Sequence, residues 1–398
     1  MKGQRLFRSI RLGNILSYGF WDEEFHLEPL NVLIGPNASG KSNLIEVLTL
    51  LAAAPGGDLQ SPIREGGGVT EWLWKGTTPL GRAMVDVIVE FPGNRPLRYR
   101  LTFKETGARF ELVGEAIGNE RPIKKSEDPF SYYRNQGGRA RLSVLSPDES
   151  RSYQPLTQEE LNQDQSILSQ RRDPNTYPEL TYLAETFQRM RFYRDWNFGR
   201  SSPPRLPQQA DMRQDILLED ASNIGLVLNS LLNQPPVKRQ IIDRLRTFHQ
   251  SIEDILSVFH SNTVQIFFHE EGLHHPIPAT RLSDGSLRYL CLLAVLCDPN
   301  PPPVVCIEEP EIGLHPDVIP ELARLLVEAS SRCQIFVTTH SDILIDALTD
   351  TPEAVIVCEK SQGATQLRRL DASELENWLK DYRLGELWVS GEIGGNRW

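Results

Sequence analysis

The sequence predicts an α/β fold with a parallel core sheet, an antiparallel β-subdomain and an inserted, mostly α-helical lobe. Three observations support this prediction. A glycine-rich loop, residues 35–42, stands between a short apolar run and an apolar helix pattern. Apolar and polar residues alternate across residues 84–113, as in antiparallel strands with one solvated face. From residue 282 onward helix and strand patterns alternate, which is typical of a parallel sheet covered by helices.

Composition limits the class of protein. The 398 residues are 39% hydrophobic and 24% charged, which is ordinary for a globular chain. The net charge of -11 argues against a surface that is basic throughout, but not against a local basic patch. Without an eighteen-residue apolar run or a signal peptide, we expect no membrane partner and a cytoplasmic location. The five cysteines lack CxxC spacing and are expected to be reduced core residues.

The elements divide the chain into three predicted parts. Residues 1–115 would form the N-terminal half of the main domain, with strands in 6–34 and a helix that begins at Lys41 and stops before Pro55. Residues 116–260 would form an insertion and helical lobe. In it, 115–180 is polar and irregular or partly mobile, and 236–259 has the three-to-four spacing of one amphipathic helix. Residues 261–398 would supply the C-terminal half, with strands at 304–307, 335–339 and 354–358.

The loop GPNASGKS fits G-x-x-x-x-G-K-[ST] at every fixed position, with a strand before it and a helix after it. Its backbone N–H groups would surround the phosphates of ATP at the positive end of the helix. Lys41 would reach the β- and γ-phosphates, and the Ser42 hydroxyl would bind Mg²⁺. The predicted ATP-binding residues are Gly35, Pro36, Asn37, Ala38, Ser39, Gly40, Lys41 and Ser42.

Two later strands end in residues suited to phosphate chemistry. The strand VVCI ends in Glu308 and Glu309, at the edge of a parallel sheet where ligands bind. Glu308 would complete the Mg²⁺ shell, although aspartate is usual at this position, and Glu309 would orient or deprotonate the attacking water. His340, after the strand IFVTT, would contact the γ-phosphate or the water. Lys41, Glu309 and His340 are therefore the predicted catalytic residues.

The stretch LSDGS, residues 282–286, precedes an apolar helix. Ser283 and Asp284 are suited to cap that helix, and the cap alone accounts for these residues. A helix N-terminus with Ser and Gly is also a site for anions. The pattern leaves both interpretations open.

These motifs together resemble the ATP-binding-cassette (ABC) ATPases, and within them the RecF/SMC-like branch of bacterial AAA_21-type ATPases with OLD-like heads. The resemblance covers about 1–55 and 210–348, through GPNASGKS, LSDGS, CIEEPEIGLHPD and TTHSD. It implies an ABC-type head that forms a homodimer around ATP. Ser283, Gly285 and Ser286 would be the signature motif that binds the γ-phosphate of ATP held by the other subunit.

The resemblance also assigns further positions. Residues 314–317 would be the D-loop at the dimer interface, and His340 the switch histidine. No clean Q-loop is present, and Gln188 is the candidate. Asp284 replaces the usual glycine, and a carboxylate there is unfavourable near a γ-phosphate unless it points away.

Residues 186–205 interleave five arginines with five aromatic residues. The stretch would stack on and neutralise nucleic acid, or form a strand and loop that bring arginines to the ATP phosphates, or be ordinary surface. The sequence leaves these alternatives open.

The resemblance predicts an ATPase that couples ATP and Mg²⁺ to DNA repair or anti-phage defence. DNA and a separately encoded nuclease or other effector are the expected partners, since the chain after residue 345 is too short for a nuclease domain. A higher oligomer is also open. The alternative is a nucleotide-gated scaffold that hydrolyses little and assembles with a partner nuclease. A transporter subunit is disfavoured by the extra length.

Overall fold

The computed structural model describes residues 3–20, 24–76, 81–122, 129–136, 138–148, 150–157, 161–162 and 164–395. Its strands are β1 Phe7–Ile15, β2 Tyr18–Phe20, β3 Phe25–His26, β4 Leu30–Ile34, β5 Arg82–Val89, β6 Leu97–Thr106, β7 Arg109–Asn119, β8 Ser131–Gln136, β9 Arg139–Leu145, β10 Arg151–Leu156, β11 Arg191–Tyr193, β12 Gln208–Gln209, β13 Ile252–His260, β14 Thr263–Glu270, β15 Ile277–Pro278, β16 Val304–Glu308, β17 Gln334–Thr338, β18 Val355–Ser361 and β19 Ala364–Arg369.

Its α-helices are α1 Lys41–Ala53, α2 Ser61–Glu65, α3 Val69–Trp72, α4 Ile167–Gln170, α5 Pro178–Gln188, α6 Ile224–Leu232, α7 Pro235–Phe248, α8 Asp284–Leu296, α9 Ile319–Ala329, α10 Asp342–Asp346, α11 Ala372–Leu375 and α12 Leu384–Ser390. The longest of these has 14 residues. Among the described residues, none is long and apolar enough to cross a membrane.

A six-stranded core sheet has the order β11-β16-β17-β4-β18-β19 and is parallel except for the last strand. Both of its faces are buried. On β16, Val304 and Cys306 belong to one hydrophobic core, and Val305 and Ile307 to the other. Strands buried on both faces read as continuous apolar runs, which is why the sequence pattern found them. The predicted α/β fold class is confirmed.

A nine-stranded antiparallel sheet has the order β10-β9-β8-β7-β6-β5-β1-β2, with β3 beside β1. The predicted meander forms β5, β6 and β7. The described parts of residues 115–180 differ from the irregular insertion that we expected, because β8, β9 and β10 continue this sheet and α4 and α5 follow. Hydrogen bonding to β7 and burial of one face order a segment whose other face is polar.

The predicted helix 236–259 is wrong in its second half. Helix α7 ends at Phe248, and residues 252–260 form β13, which pairs with β14. A register shift lies between Ile252 and Asp254, so Ile252 and Ile255 are both buried although three residues apart. A β-bulge adds a residue to one strand and so imitates helical spacing in the sequence.

The three-part division of the chain stays a prediction. The middle part contains both helices, such as α6 and α7, and strands, and one of its strands, β11, belongs to the core sheet. All five cysteines are buried, as expected.

A buried amide is one of the links between the two large sheets. Gln334 Oε1 accepts from the backbone N–H groups of Leu6 and Phe7, at 3.2 and 2.8 Å. Its Nε2 donates to the carbonyls of Phe7 and Glu28, at 2.9 and 3.0 Å. Since Gln334 begins β17 and Phe7 begins β1, this side chain fixes how the core sheet meets the antiparallel sheet.

Replacing Gln334 by Leu should lower the free energy of unfolding by about 3 kcal/mol, because buried backbone groups would lose their partners at roughly 1–3 kcal/mol each. Chemical denaturation measures this loss. Gln366→Leu, at an exposed position on β19, is the matched control and should change stability by less than about 0.5 kcal/mol. Equal effects of the two variants would contradict the role of Gln334.

Candidate functional site

The glycine-rich loop joins the buried strand β4 to α1 and has little spare room. Gly35 and Gly40 have φ of 147° and 102°. A Cβ on Gly35 would lie 2.2 Å from the carbonyl oxygen of Cys358, and one on Gly40 would lie 2.2 Å from Thr365 Oγ1. The hydroxyl of Ser39 is buried without a hydrogen-bond partner. Tight glycines and an unsatisfied donor at a helix N-terminus fit a bound phosphate.

Lys41, the first residue of α1, is buried and bends back over the loop. Its Nζ donates to the carbonyls of Gly35 at 2.9 Å and Pro36 at 3.1 Å. Burial is the main cause that lowers the pKa of Lys41, while Cys358, Glu309 and Glu308 act in the opposite direction. The ammonium group therefore lies across the loop, where it can exchange carbonyl acceptors for phosphate oxygens.

Glu308 ends β16 between two partners. Ser42 Oγ donates to Glu308 Oε2 at 3.2 Å, so the two predicted magnesium ligands meet. Arg194 Nε lies 3.1 Å from Glu308 Oε1. Burial raises the pKa of Glu308, and the charge of Arg194 and the Ser42 hydrogen bond oppose that shift. A hydroxyl and a carboxylate at this spacing fit Mg²⁺, which prefers oxygen ligands.

Glu309 has a left-handed backbone, with φ of 45°. A non-glycine residue in this region costs on the order of 1–3 kcal/mol, and such strain is concentrated at functional sites. The Glu309 side chain is 39% exposed, and its Oε1 lies 3.7 Å from His340 Nε2. The two predicted catalytic groups are therefore adjacent, at the ends of neighbouring strands β16 and β17.

Glu311 forms hydrogen bonds with the segment that contains His340. The sequence predicted no role for Glu311. Its Oε1 accepts from Thr339 Oγ1 at 2.6 Å and from the backbone N–H of His340 at 2.9 Å. Burial raises the pKa of Glu311, and these hydrogen bonds oppose the shift. Its position two residues after Glu309, in the run EEPE, was the available signal.

The LSDGS stretch forms the cap expected from the sequence. The Ser283 side chain accepts from the Ser286 N–H at 3.0 Å, and the two hydroxyls lie 2.8 Å apart. Asp284 forms an ion pair with Arg205. The side chains of this motif thus bond with one another and with Arg205 rather than with the phosphate loop of their own chain.

The ion pair with Arg205 orients the side chain of Asp284, which stands where glycine is usual. The arginine is 7% exposed and also donates to the carbonyls of Phe198 at 2.7 Å and Leu282 at 2.6 Å. Its guanidinium group neutralises the Asp284 carboxylate and directs it toward this anchor. This ion pair offsets the charge of Asp284, the residue that the resemblance would place near a γ-phosphate.

The stretch 186–205 does not form a base-stacking surface. All five of its aromatic side chains, Phe187, Phe192, Tyr193, Trp196 and Phe198, are buried. Its strand β11 instead pairs with β16 and brings Arg194 to Glu308. This result favours the alternative in which the stretch faces the nucleotide site. The Q-loop candidate Gln188 ends α5, is exposed and accepts from Arg172 at 3.3 Å, whereas Arg194 reaches the site.

The sequence also predicted no role for the segment after α12. Gly395, with φ of 72°, lies so close to the phosphate loop that an added Cβ would be 3.5 Å from Gly35 Cα. Its N–H donates to Glu359 at 2.8 Å, and its carbonyl accepts from Trp388 at 3.2 Å. The glycine cluster GEIGG was the available signal.

Comparison with known proteins agrees with this geometry. Residues 30–346 match the family model described as "AAA domain, putative AbiEii toxin, Type IV TA system". The chain belongs to this family. The match spans the phosphate loop, LSDGS, Glu308, Glu309 and His340, and it establishes a nucleotide-binding ATPase domain. No curated protein matches the chain.

Solved structures show the fold of this AAA domain. One is the Smc head bound to the C-terminal winged-helix domain of ScpA, with a TM-score of 0.54, 13% identity, and coverage of 94% of this chain and 100% of that chain. Another is the Smc head with an extended coiled coil, bound to the C-terminal domain of ScpA from Pyrococcus furiosus. Its TM-score is 0.52 at 14% identity, and the match covers 94% of this chain and 99% of that chain. The AAA domain therefore has the SMC/RecF-like, ABC-type head fold.

Gly285 offers a test of the signature position in this AAA domain. A Cβ there would lie 2.6 Å from the carbonyl oxygen of Gly313, next to the predicted D-loop. Gly285→Ala should displace that segment. If the chain forms the homodimer around ATP that the resemblance implies, the variant should weaken this dimerisation at least tenfold, with little change in ATP binding to the monomer. Analytical ultracentrifugation with and without ATP measures both states.

Gly56→Ala is the control, since an added Cβ there meets nothing within 4 Å. It should dimerise like the unmodified chain. Normal dimerisation of Gly285→Ala would show that the contact between these two segments has no part in assembly.

Proposed function

We propose that this chain binds ATP with Mg²⁺ and hydrolyses it in a homodimer in which each ATP lies between two subunits. The observation that carries the proposal is the meeting of Ser42, Glu308 and Glu309 at the carboxyl ends of β4 and β16. The signature serines bond with each other and leave a helix N-terminus for a phosphate from elsewhere. A second copy of the chain would supply that phosphate.

Each residue has a distinct role in this proposal. Residues 35–40 would hold the phosphates with backbone N–H groups, and Lys41 would move from the loop carbonyls to the β- and γ-phosphates. Ser42 and Glu308 would hold Mg²⁺, which neutralises charge on the phosphate oxygens. Glu309 would take the proton of the attacking water, and His340 would orient that water or the γ-phosphate. Ser283, Gly285 and Ser286 would bind the γ-phosphate of the partner's ATP.

Arg194 adds a step that depends on magnesium. Ser42 and Glu308 would hold Mg²⁺ once Glu308 Oε1 gives up its contact with this guanidinium, 3.1 Å away. Arg194 would then be free to reach a phosphate oxygen, for which its planar fork is well suited. Binding of Mg²⁺ would thus change the position of Arg194, and with it β11 and the segment that follows.

We further propose that the ATPase cycle drives a defence or DNA-repair effector in the cytoplasm. The family description, which names a toxin and a toxin–antitoxin system, supports defence. A separately encoded nuclease is the expected effector, and a higher oligomer remains compatible with a dimeric core. Asp284 and Glu308 differ from the residues usual at their positions, and this difference is what favours the scaffold alternative. Arg205 now accounts for the first, and Ser42 and Arg194 account for the second.

Glu309→Gln should bind ATP but hydrolyse it at least a hundredfold more slowly, because the amide cannot accept the proton of water. The variant should therefore accumulate as a closed dimer, visible as a doubling of mass by light scattering in saturating ATP.

Lys41→Ala is the control and should stay monomeric in ATP, because it lacks the charge that holds the phosphates. If Glu309→Gln is also monomeric, the sandwich is wrong. If the unmodified chain releases phosphate no faster than Lys41→Ala, the scaffold replaces the hydrolase.

A further inference from the structure

The outer face of the nine-stranded sheet carries a line of arginines that cross-strand pairing creates. Directly opposed residues run across six strands in the order Arg11, Asp86, Arg100, Ala116, Arg134 and Arg141. We call its four arginines the arginine row. Neighbouring strands are about 4.8 Å apart, so the row is roughly 24 Å long. No part of it belongs to the nucleotide site.

Two more arginines extend the positive charge on this face. Arg98 lies on β6 and bonds with Asp86 at 2.8 Å, and Arg139 lies opposite Gln136 on β8. The described carboxylates that pair with these six arginines are Asp86 and Glu24. Among the described residues, the arginines on this face outnumber the carboxylates that form ion pairs with them.

Asp86 keeps one end of the row in place. It is 1% exposed and pairs with three guanidinium groups, Arg11, Arg98 and Arg100, each at 2.8 Å. Burial alone would raise the pKa of Asp86, but the bonds from Arg98 and Arg11 outweigh it and hold that pKa below its ordinary value. The carboxylate therefore stays charged and holds three arginines together on the surface.

The other end of the row is unfavourable by itself. Arg134 and Arg141 are both exposed and stand directly opposite each other on β8 and β9. Like charges in this relation destabilise a sheet. Among the described residues no carboxylate forms an ion pair with either of them, and Arg134 donates only to Gln136, at 3.2 Å. An anion placed over the pair would remove the repulsion.

We propose that this face binds the phosphate backbone of a nucleic-acid duplex, without reading its sequence. A duplex carries a negative charge for about every 1.7 Å of its axis, so the guanidinium groups at both ends of the row can meet phosphates. On β7, between the two ends of the row, Gly114, Ala116 and Gly118 face outward. With side chains this small, the backbone of the duplex can approach the sheet closely.

Two other anionic partners fit less well. Membrane surfaces are held by basic residues together with apolar anchors. The only exposed large hydrophobic residue on the described strands of this sheet is Tyr153. Single strands are held by stacking successive bases on several aromatic side chains, and one tyrosine does not provide that platform.

This inference deepens the proposed function by naming a partner class, and its test does not need ATP. Fluorescence anisotropy of a labelled 30-base-pair DNA duplex is measured against salt concentration for the full chain without nucleotide. Arg134→Ala/Arg141→Ala should weaken binding at least tenfold at 0.1 M salt. It should also lower the slope of log affinity against log salt by about two, because two phosphate contacts are lost.

The matched control is Arg239→Ala/Lys380→Ala, which removes the same charge from exposed positions outside this sheet. It should bind duplex like the unmodified chain. Both double variants should keep their ATP binding, and the row variant should melt no lower than the unmodified chain, because it loses a repulsion. Lys41→Ala should lose ATP and keep the duplex, so failure of the ATPase proposal is distinguishable from failure of this one.

Other phosphate-bearing ligands, tested in the same assay, show whether the face prefers a nucleic-acid duplex to a single strand or a membrane surface. Duplex RNA should bind in the same way as duplex DNA if only the backbone is recognised. Equal binding by the row variant and the unmodified chain would overturn the proposal. So would binding of single-stranded DNA or of vesicles with 30% phosphatidylserine in place of the duplex.

Discussion

A half-buried carboxylate at the end of β16 is the constraint on which the nucleotide site depends. Partial removal of the Glu308 charge from water is unfavourable unless other groups compensate. Its two partners come from different segments, Ser42 from α1 and Arg194 from the end of β11. Both segments must therefore meet at the carboxyl edge of the core sheet. The parallel order of β4, β16 and β11 achieves this, and His340 arrives beside them on β17.

The sequence predicted what depends on local pattern and could not predict what depends on tertiary pairing. The phosphate loop, the core strands and the Ser283 cap each have a signature within about ten residues. Arg194 and Arg205 have none, because their roles are fixed by Glu308 and Asp284, 114 and 79 positions away. The bulge in β13 imitated a helix for the same reason, since only pairing with β14 reveals it.

The antiparallel sheet connects the chemistry of the site with the rest of the molecule. Gln334 fixes β1 against β17, the strand that ends just before His340. The same strand β1 carries Arg11, the first residue of the arginine row. Strand β1 therefore joins the strand that leads to His340 to the sheet that carries the arginine row.

The central claim is that each complete site needs two copies of the chain, one giving Lys41 and the other Ser286. Mixing Lys41→Ala chains with Ser286→Arg chains tests it most directly, by phosphate release against each variant alone. Each variant alone should be inactive, whereas the mixture should recover activity, because a mixed dimer contains one intact site. Full activity of Ser286→Arg alone, or no recovery on mixing, would contradict the account.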